Sequence, residues 1–563
     1  MYSAGKGKTT LAMDSNGCAQ SRPCGCGQSV GVSSLLTDLY QITMCYGYWK
    51  SKKHESLAVF DVFFRKNPFK GEYTIFCGLE DCLRFIRCFS FDQKDVDFLQ
   101  SVLPDSTDPA FFDYLRTLDC SQVTVYAIEE GRVVFPGVPL LILEGPLAVI
   151  QLLETTILNL INYASLVATN AVRFRLAANP GSKLIEFGLR RAQGPNGALT
   201  ASKYSYIGGF HGTSNVLAGK LYSIPVRGTH AHSFVSTFSS LDDVINHSLT
   251  SSDGSRTVDF VDMTAKYRAE VCAILPQVIP SEVNDGELAA FITYAMAFPN
   301  QFTALLDTYD VLRSGVVNFC ACALSLHYLG YKALGIRLDS GDLAYLSKMI
   351  RNIFRSIGEK FNVSWFKDLT IMASNDINEE TLYSLREQGH EINAFGVGTH
   401  LVTCQKQPAL GCVYKLVSVE GEPRIKLSEQ MDKITIPGKK FTYRIYGKDG
   451  RAINDLIMLA DEEPPKVGQA VLCRHPFSEN KRAFVVPTRV DRLHKVVWCE
   501  GKVQVPLPSI SECRQRVIDS VEALREDHKR NLNPTPYKVS VSEKLYDFIH
   551  KLWLEHAPVG RLE

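Results

Sequence analysis

The sequence predicts an α/β fold with a parallel sheet, arranged as a barrel or as an open sheet. From residue 183 onwards, a short apolar or β-branched run is followed by a polar loop and an amphipathic helix, and this unit recurs. Strands that alternate with helices in this way are typical of parallel βα units. No sequence repeat with a period of roughly 20–50 residues accompanies the units, which argues against a solenoid.

The composition favours a globular protein of two or three domains. The chain has 563 residues, of which 45% are hydrophobic and 21% charged, so it can bury a large core and does not resemble a disordered chain. Lys and Arg number 61 against 60 for Asp and Glu, which leaves no general field for nucleic acid or a membrane surface. No apolar stretch reaches the ~18 residues of a membrane span, so we expect neither a nucleic-acid nor a membrane partner.

The cysteines indicate the compartment. There are 16 of them, scattered along the chain, and no signal peptide is visible at the start. In a chain of this length such a pattern predicts reduced thiols rather than a disulfide framework. We therefore expect a soluble protein of the cytosol.

Residues 1–34 differ from the rest of the chain and predict a disordered leader. Twelve of these 34 residues are Gly or Ser, and apolar periodicity is missing. The run GKGKTT lacks the glycine that a phosphate-binding P-loop needs five residues before its Gly-Lys pair, because Tyr2 stands there. A mitochondrial targeting segment and a metal site on Cys18, Cys24 and Cys26 are the weaker alternatives, since Arg is scarce and a second ligand pair is missing.

The first folded segment, residues 35–150, mixes helices with β-rich runs. The clearest β-rich runs are Ser56 to Phe64 and Arg132 to Leu143. Residues 146–178 follow with helical composition, and their length predicts one kinked helix or two consecutive helices.

The βα units occupy the middle of the chain. Their strands are predicted in the runs Lys183 to Gly188, Phe302 to Asp310, Lys332 to Asp342, Leu369 to Asp376 and Ile392 to His400. Asp376 and Glu379 suit a capping-box-like start for the helix after the fourth run. Beyond about residue 430 the pattern changes to Pro-containing β-like pieces and a polar helix, Ser511 to Leu532. This predicts a return to the first domain or a separate tail module.

Charged and Gly-containing loops follow the predicted strands, at the end where parallel α/β folds bind ligands. These residues are Arg190, Arg191, Asp307, Asp310, Arg337, Asp339, Ser340, Asp342, Asn375, Asp376, and Gly396 to Thr399. Backbone N–H groups of a GxG turn and Arg side chains bind phosphate, and carboxylates suit Mg²⁺ or ribose hydroxyls. The alternative is that the acids cap helices and the arginines are solvated. Because five loops share the bias, we expect a phosphorylated ligand.

A second candidate site lies in the run IPVRGTHAHSF, where His230 and His232 are two residues apart. An extended segment would place both rings on one side. Zinc is disfavoured, since a third ligand is not nearby. A structural histidine is the usual alternative, and His232 is also placed to act as nucleophile or base. Spacing alone leaves these roles open.

Seven sequence motifs resemble those of a known enzyme family. They are LLTDLYQITMCYGYWK, FFRKNPFKGEYTIFCGLEDCL, EFGLRRAQGPNGALTASKYSYIGGFHGTSNVLAG, GTHAHSF, LLDTYD, IRLDSGD and AFGVGTH. In content and order they are similar to nicotinate phosphoribosyltransferases of the eukaryotic type, members of the type II phosphoribosyltransferases. The resemblance covers nearly everything after residue 34.

The resemblance implies a fold and a reaction. The fold is an irregular α/β barrel over residues 151–430. A second α+β domain is formed by residues 35–150, the N-terminal part of the substrate and dimerisation domain, and 431–563, the C-terminal part that packs on it. The reaction joins nicotinate and phosphoribosyl pyrophosphate into nicotinate mononucleotide and pyrophosphate, the entry step of NAD synthesis from nicotinic acid. ATP is hydrolysed as co-substrate, Mg²⁺ is required with Mn²⁺ as an alternative, and a homodimer shares its active sites.

The resemblance also implies residue roles. His232 matches the histidine that ATP phosphorylates, and Asp307 would hold its imidazole. Tyr40 would stack on the pyridine ring from the partner subunit, while Arg190, Thr229 and Arg337 line the nicotinate site. The phosphoribosyl and phosphate groups would be bound by Arg337, Asp339, Asn375, Gly396, Gly398 and Thr399. The resemblance leaves the metal ligands unknown.

Ser214 bears on the choice between acid and amide. The related nicotinamide-using enzyme carries a carboxylate near that place, so an uncharged Ser214 beside Arg190 favours nicotinate. Ser214 as a mere helix cap is the alternative. Three other functions remain: a catalytically silent dimeric binding protein, a nicotinamide-using enzyme and, ranked last, a quinolinate-using enzyme.

Two positions depart from the family pattern. His211 stands where Asp is usual, and Asn196 stands where Asp is common. Neither is an expected catalytic group, although His211 would alter packing next to the substrate pocket.

Overall fold

The computed structural model describes residues 31–428 and 433–556. The predicted leader, with its three cysteines and its GKGKTT run, lies outside the described residues except for 31–34. The proposed domain boundary at residue 430 also falls outside them.

The described residues form seventeen α-helices. They are α1 (Leu39–Lys50), α2 (Leu79–Arg87), α3 (Gln93–Val102), α4 (Pro109–Thr117), α5 (Leu147–Leu152), α6 (Glu154–Ala177), α7 (Gly194–Ile207), α8 (Val216–Tyr222), α9 (His232–Val235), α10 (Phe260–Ile274), α11 (Asp285–Ala297), α12 (Val316–Tyr328), α13 (Leu343–Lys360), α14 (Glu379–Gln388), α15 (Thr399–Val402), α16 (Ile510–Glu522) and α17 (Glu543–His556).

The same residues contain 22 strands. They are β1 (Leu57–Phe64), β2 (Thr74–Ile75), β3 (Thr124–Ala127), β4 (Val133–Val134), β5 (Leu141–Pro146), β6 (Lys183–Glu186), β7 (Ser248–Thr250), β8 (Thr257–Asp259), β9 (Thr303–Leu305), β10 (Gly335–Leu338), β11 (Thr370–Ala373), β12 (Ala394–Val397), β13 (Cys412–Val419), β14 (Glu422–Pro423), β15 (Lys440–Tyr446), β16 (Ala452–Leu459), β17 (Val471–His475), β18 (Ser478–Val485), β19 (Arg489–Arg492), β20 (Lys495–Cys499), β21 (Lys502–Val503) and β22 (Val539–Val541).

A parallel sheet in the order β6-β12-β11-β10-β9 carries the βα units. Single parallel bridges from Glu186 to Thr213 and from Thr213 to Val226 extend it beyond β6. At the opposite edge, the backbone N–H of Leu305 in β9 donates to Nε2 of His230 at 3.4 Å. The predicted α/β class is therefore confirmed, and closure of the sheet into a barrel stays a prediction.

Two larger sheets lie outside the parallel one: a seven-stranded antiparallel sheet and a six-stranded mixed sheet, in which β16 and β22 pair in parallel. Two short two-stranded sheets, β2-β4 and β7-β8, accompany them. The seven-stranded sheet, β14-β13-β1-β5-β3-β20-β21, combines early and late parts of the chain, and β1 pairs with β13 from Ala58–Val419 to Phe64–Cys412. The six-stranded sheet, β18-β17-β22-β16-β15-β19, is built from residues 440–541 alone. Because β13 lies inside the segment 151–430 and pairs with β1, strand pairing joins that segment to the N-terminal one; the domain division itself stays a prediction.

The α6 helix connects the layers. Its 24 residues follow α5 after Leu153, so two consecutive helices fill the region 146–178. Most of the second half of α6 is buried, including Arg173, which pairs with the buried Glu379 at 2.9 Å. A helix that is buried on all sides, with its polar side chains paired, belongs in the interior of a large core.

Two local predictions are wrong. The helix α14 is capped by Asn378, whose side chain accepts from Thr381 N–H at 2.8 Å, and not by Asp376, which has a left-handed φ of 43° in the preceding loop. The polar helix predicted from Ser511 to Leu532 is present but shorter: α16 ends at Glu522 with Ala523 as its C-cap, and a separate 3₁₀ turn, Glu526–His528, follows the extended Arg525. Within the part of the chain that the structure describes, no helix has the length and apolar content to cross a bilayer.

Candidate active site

A cleft of about 510 Å³ opens at the carboxyl ends of the parallel strands. Its lining comes from loops that lie far apart in the sequence but follow neighbouring strands. The predicted site residues among its lining are Arg190, Ser214, Thr229, Arg337, Asp339, Asn375, Gly396, Gly398 and Thr399. The structure thus brings the charged and Gly-containing loops to one rim.

His232 stands at the edge of this cleft, at the first position of α9. Its Nδ1 lies 3.1 Å from the hydroxyl of Thr308. Its Nε2 lies 4.0 Å from Oδ1 of Asp307 and 3.8 Å from Oδ2 of Asp339. The ring is 43% exposed, so an incoming substrate can reach it while two carboxylates lie on one side.

Asp307 anchors the loop after the neighbouring strand. Its side chain is 3% exposed, and its Oδ2 accepts the backbone N–H of Asp339 at 3.0 Å together with the hydroxyl of Ser340. Its Oδ1 is buried and makes no hydrogen bond with the described residues. One oxygen therefore fixes the loop after β10, and the other faces the His232 ring.

Arg337 lies deeper in the cleft on β10. Its Nη1 donates to Oγ1 of Thr229 at 3.2 Å, and its Nη2 lies 3.7 Å from Oδ2 of Asp339. Burial lowers the pKa of the Arg337 guanidinium, while the charges of Asp339 and Asp307 oppose that effect. Its Nε is buried without a partner among the described groups, so one donor is available to a ligand.

Two glycines line the cleft at the last strand, Gly396 within β12 and Gly398 directly after it. A Cβ on Gly396 would lie 2.3 Å from the ring of Phe187, a separation that no packed structure tolerates. Thr399 follows as the first residue of α15. Beside it, His400 pairs with Asp376 at 3.0 Å, and both line the cleft.

Several residues of the site were not predicted from the sequence. Glu186 is buried at the end of β6 and accepts the hydroxyl of Ser202 at 2.8 Å, as well as Gly188 N–H and the Thr213 hydroxyl. Thr308 and Ser374 contact His232 and Asp339, respectively. An acid directly after the apolar pair Leu184-Ile185, at the end of a predicted strand, was the signal that would have pointed to Glu186.

Helix caps account for some of the acids. Asp310 accepts two backbone N–H groups at the start of a π-helical turn, Val311–Gly315, and Asp342 caps α13. For Ser214 the capping alternative is wrong, because Asn215 caps α8 through a bond from Ala218 N–H at 3.2 Å. Ser214 lines the cleft instead.

The two histidines of the GTHAHSF run have different environments. His230 is buried against Phe234 and Tyr294, and burial lowers its pKa to about 4, so its ring is neutral at pH 7. Its backbone carbonyl accepts from Arg337 at 3.4 Å. His230 is thus the buried, neutral histidine of the pair, and it also contributes to the cleft lining. Within residues 31–428 and 433–556, no group of three or more His, Cys, Asp or Glu side chains is arranged to hold a metal ion.

Models of known protein families match three parts of the chain. The model of the nicotinate phosphoribosyltransferase (NAPRTase) family matches residues 182–448. The models of the N-terminal and C-terminal domains of nicotinate phosphoribosyltransferase match residues 35–162 and 439–549. The chain belongs to the nicotinate phosphoribosyltransferase family.

Similar proteins support this membership. The chain is 58% identical to the nicotinate phosphoribosyltransferase of Caenorhabditis elegans over 95% of its length and 96% of the relative. It is 48% identical to that of Homo sapiens over 93% of its length and 97% of the relative. The crystal structure of human nicotinic acid phosphoribosyltransferase superposes with a TM-score of 0.84 at 46% identity, covering 92% of this chain and 99% of that one.

The shared fold extends to a more distant structure. A nicotinate-nucleotide pyrophosphorylase from Pyrococcus furiosus superposes with a TM-score of 0.56 at 20% identity, over 87% of this chain and 95% of that one. At this identity the likeness concerns the fold alone.

The two departures from the family pattern lie away from the cleft lining. His211 accepts Leu184 N–H through Nδ1 at 3.1 Å. Burial, together with the positive charges of Arg514 and Arg175, lowers the pKa of His211, so the residue is neutral at pH 7. Asn196 is exposed in the first turn of α7. His211 therefore does not alter the cleft lining as expected. Its ring accepts one hydrogen bond from Leu184, and the carboxylate of the usual Asp could accept the same bond.

Tyr40 is separate from the cleft of its own chain. It is 47% exposed in the first turn of α1 and does not belong to the residues that line the cleft. The role predicted for it in this family therefore requires another copy of the chain.

Proposed function

We infer that this protein transfers the phosphoribosyl group of phosphoribosyl pyrophosphate to nicotinate, giving nicotinate mononucleotide and pyrophosphate. This is the first step of NAD synthesis from nicotinic acid. The observation that carries the proposal is the group formed by His232, Asp307, Asp339 and Arg337 at the rim of the cleft. Family membership over nearly the whole folded chain supports the reaction.

The phosphorylated substrate occupies the cleft in this proposal. Arg337 and Asp339 contact the ribose and diphosphate, with Asn375 beside them. The 5′-phosphate lies on the backbone of Gly396 and Gly398 and the hydroxyl of Thr399, where a turn followed by α15 presents N–H groups. Positioning and charge stabilisation then assist an oxocarbenium-like ribosyl group, without covalent attack by the protein at C1.

The nicotinate carboxylate meets the positive side of the cleft. Arg190 and Thr229 bind it in this proposal, with Arg337 behind Thr229 at 3.2 Å. Ser214 lines the same cleft and carries no charge, so it does not repel an acid. A carboxylate at that position would disfavour nicotinate and suit an amide.

ATP acts as co-substrate through His232. A neutral ring nitrogen attacks the γ-phosphorus, a P–N bond forms, the bond from that phosphorus to its bridging oxygen breaks, and ADP leaves. Nδ1 is the attacking atom in this proposal, and Nε2 keeps its proton. The phosphorylated imidazole is then cationic, and the carboxylates of Asp307 and Asp339, at 4.0 and 3.8 Å from Nε2, stabilise it. Water later takes the phosphoryl group, which couples ATP hydrolysis to the transfer.

Mg²⁺ fits these residues as a partner of the substrate phosphates. The ion usually takes one or two carboxylates and completes its shell with water and phosphate oxygens. The Asp339 carboxylate would hold it, while Oδ1 of Asp307 stays directed at the His232 ring. When bound, Mg²⁺ neutralises phosphate charge; Mn²⁺ would do the same.

A homodimer completes the site in this proposal. Tyr40 reaches the pyridine ring of the partner subunit's cleft. Large apolar side chains are exposed near both elements concerned, namely Leu39 on α1 and Val216, Leu217 and Leu221 on α8, which begins beside Ser214. Exposed apolar clusters of this kind mark protein–protein contacts.

A single experiment separates the proposed reaction from its alternatives. Product formation from phosphoribosyl pyrophosphate is measured with nicotinate or nicotinamide, each with and without Mg-ATP. We expect turnover of nicotinate only, stimulated by ATP. Turnover of nicotinamide would contradict the substrate, and no turnover of either would leave a silent dimeric binding protein.

The His232→Ala variant tests the coupling. We expect it to bind phosphoribosyl pyrophosphate but to lose stimulation by ATP, because no ring nitrogen remains to accept the phosphoryl group. A rate measurement with and without ATP checks this, and His556→Ala, at the exposed end of α17, is the matched control. Stimulation of His232→Ala by ATP would show that the phosphohistidine assignment is wrong.

A further inference from the structure

A second cavity of about 420 Å³ lies between the seven-stranded and the six-stranded sheet. Over part of this interface the sheets are in apolar contact, with Val59 and Ile142 against Phe441, Tyr443 and Ile445. Beyond the buried ion pair of Asp61 with Lys440, the sheets part and the cavity opens. None of its lining residues belongs to the cleft.

Strand β1 and the residue that follows it place a charged side chain at each end of the cavity. Asp61, Phe63 and Arg65 all line it, and residues two apart along a strand point to the same side. At ~3.3 Å per residue, Asp61 and Arg65 are separated by roughly 13 Å along the strand. The carboxylate and the guanidinium therefore lie at opposite ends, with the ring of Phe63 between them.

Both ends carry an unsatisfied buried atom. Asp61 is 1% exposed, and its Oδ2 pairs with Lys440. Lys440 also donates to the carbonyl of Gly438 at 2.9 Å. Oδ1 of Asp61 receives no hydrogen bond from any described group. Nε of Arg65 is likewise buried and unpaired. Groups of this kind are costly unless a ligand or water satisfies them.

The remaining lining residues indicate what kind of ligand the cavity could bind. The walls are apolar and include Ile436, Ile457, Phe477 and Val541. The lining contains one carboxylate, Asp61, and two cations, Arg65 and Lys440. Burial lowers the pKa of His475, so that ring is neutral at pH 7 and the lining has a net positive charge. The volume lies within the ~300–1,000 Å³ of small-molecule sites.

We propose that this cavity is a second ligand site for an elongated organic anion with a planar, hydrogen-bond-donating head at Asp61 and an acidic tail at Arg65. A nucleoside monophosphate with an amino-bearing base has this form. Its amino group donates to Oδ1 of Asp61, its ring and sugar lie over Phe63, and its phosphate accepts from Nε of Arg65. The site is independent of the proposed reaction, since it shares no lining residue with the cleft.

Calorimetric titration of the full chain with adenosine monophosphate, without ATP, tests the proposal. Wild type is expected to bind, and Arg65→Gln is expected to bind about tenfold more weakly or worse, because a charge-assisted hydrogen bond is lost. Arg87→Gln, which changes an exposed guanidinium on α2, is the matched control and is expected to bind as wild type does.

Two further arms keep the result decisive. Inosine monophosphate replaces the amino group by a carbonyl oxygen, which would face Oδ1 of Asp61, so it is expected to bind less tightly. Ile436→Trp fills the cavity without removing a charge and is expected to abolish binding even if Arg65→Gln fails to fold. No binding to wild type, equal binding to Arg65→Gln or Ile436→Trp, or equal affinity for the two nucleotides overturns the proposal.

Discussion

Ser214 and the two histidines show how much depends on single residues. Ser214 lies next to the helix cap Asn215, so one step along the chain separates a capping side chain from one that lines the cleft. His230 and His232 are two residues apart, yet one is buried and neutral and the other is 43% exposed beside two carboxylates. The sequence could name both histidines but could not separate their roles, because burial is decided by elements distant in sequence.

Ser214 provides a prediction at this scale. We expect Ser214→Asp to lower kcat/KM for nicotinate by about tenfold or more, because the new carboxylate lies in the cleft that binds an acid and competes for its cations. The measurement is the kcat/KM ratio of nicotinate to nicotinamide. Ser214→Asn, neutral and of similar size to Asp, is the control; an equal loss in both variants would show that size, and not charge, matters.

The strand-and-loop unit places the charged groups at the scale of elements. The predicted strands at 183–188, 302–310, 332–342, 369–376 and 392–400 all contain observed parallel strands. Register and order were not readable from the sequence, because β12 pairs with β6 across more than 200 residues, and that pairing brings Gly396 against Phe187.

Gly396 in β12 gives a second prediction. We expect Gly396→Ala to destabilise the protein by about 1–3 kcal/mol, since its Cβ would lie 2.3 Å from the Phe187 ring and would force that side chain to move. Thermal unfolding with and without phosphoribosyl pyrophosphate measures the effect. Gly411→Ala, whose Cβ meets nothing within 4 Å, is the control; equal melting temperatures for the two variants would contradict the packing argument.

Glu287 links three helical elements behind the site. It is fully buried in α11, and its Oε2 accepts the Ser314 hydroxyl in the π-helical turn and Asn318 Nδ2 in α12 at 3.0 Å. Burial raises the pKa of Glu287 to about 7, although these hydrogen bonds oppose the shift. A π-helical turn is often found next to functional sites, and this one follows the Asp307–Asp310 loop directly.

The raised pKa of Glu287 predicts a pH dependence of stability. The folded state binds this proton more tightly than the unfolded state, so its stabilising contribution is complete below about pH 4.5 and is lost as the pH rises to about 7. The loss is about 3 kcal/mol. We expect Glu287→Gln to flatten the unfolding free energy between pH 5 and 8, measured by denaturant titration at one protein concentration. Glu359→Gln, at an exposed site on α13, should keep the wild-type slope; the same slope in Glu287→Gln would rule out this assignment.

The whole molecule joins segments that the sequence separates by hundreds of residues. The seven-stranded sheet pairs β1 with β13 and β3 with β20, so early and late segments share one sheet, and the six-stranded sheet packs against it. Strands β20 and β21 continue this sheet beyond β3, while the return of the C-terminal region to a first domain stays a prediction. The cleft of one chain is lined by the predicted charged residues Arg190, Arg337 and Asp339, whereas Tyr40 is not part of its lining.

Subunit mixing tests where Tyr40 acts. Tyr40→Ala and His232→Ala are each expected to impair the ATP-stimulated reaction. If Tyr40 serves the partner's cleft, mixed dimers contain one cleft with both native residues, and activity returns when the two inactive variants are unfolded, mixed and refolded together. Sedimentation confirms the dimer, and each variant refolded alone is the control. No recovery in the mixture would place Tyr40 outside the partner's site.

The sequence by itself determined the α/β class, the strand-and-loop units and the chemical character of the loops, because periodicity and residue type are local properties. Motif resemblance likewise pointed to the family. Only the tertiary structure decided that Asp310 and Asp342 cap helices while Asp307 and Asp339 face His232, and that Glu186 supports the Ser214 loop. The reason is physical: a side chain's role depends on burial and on partners, and these come from elements that meet only when the sheet has formed.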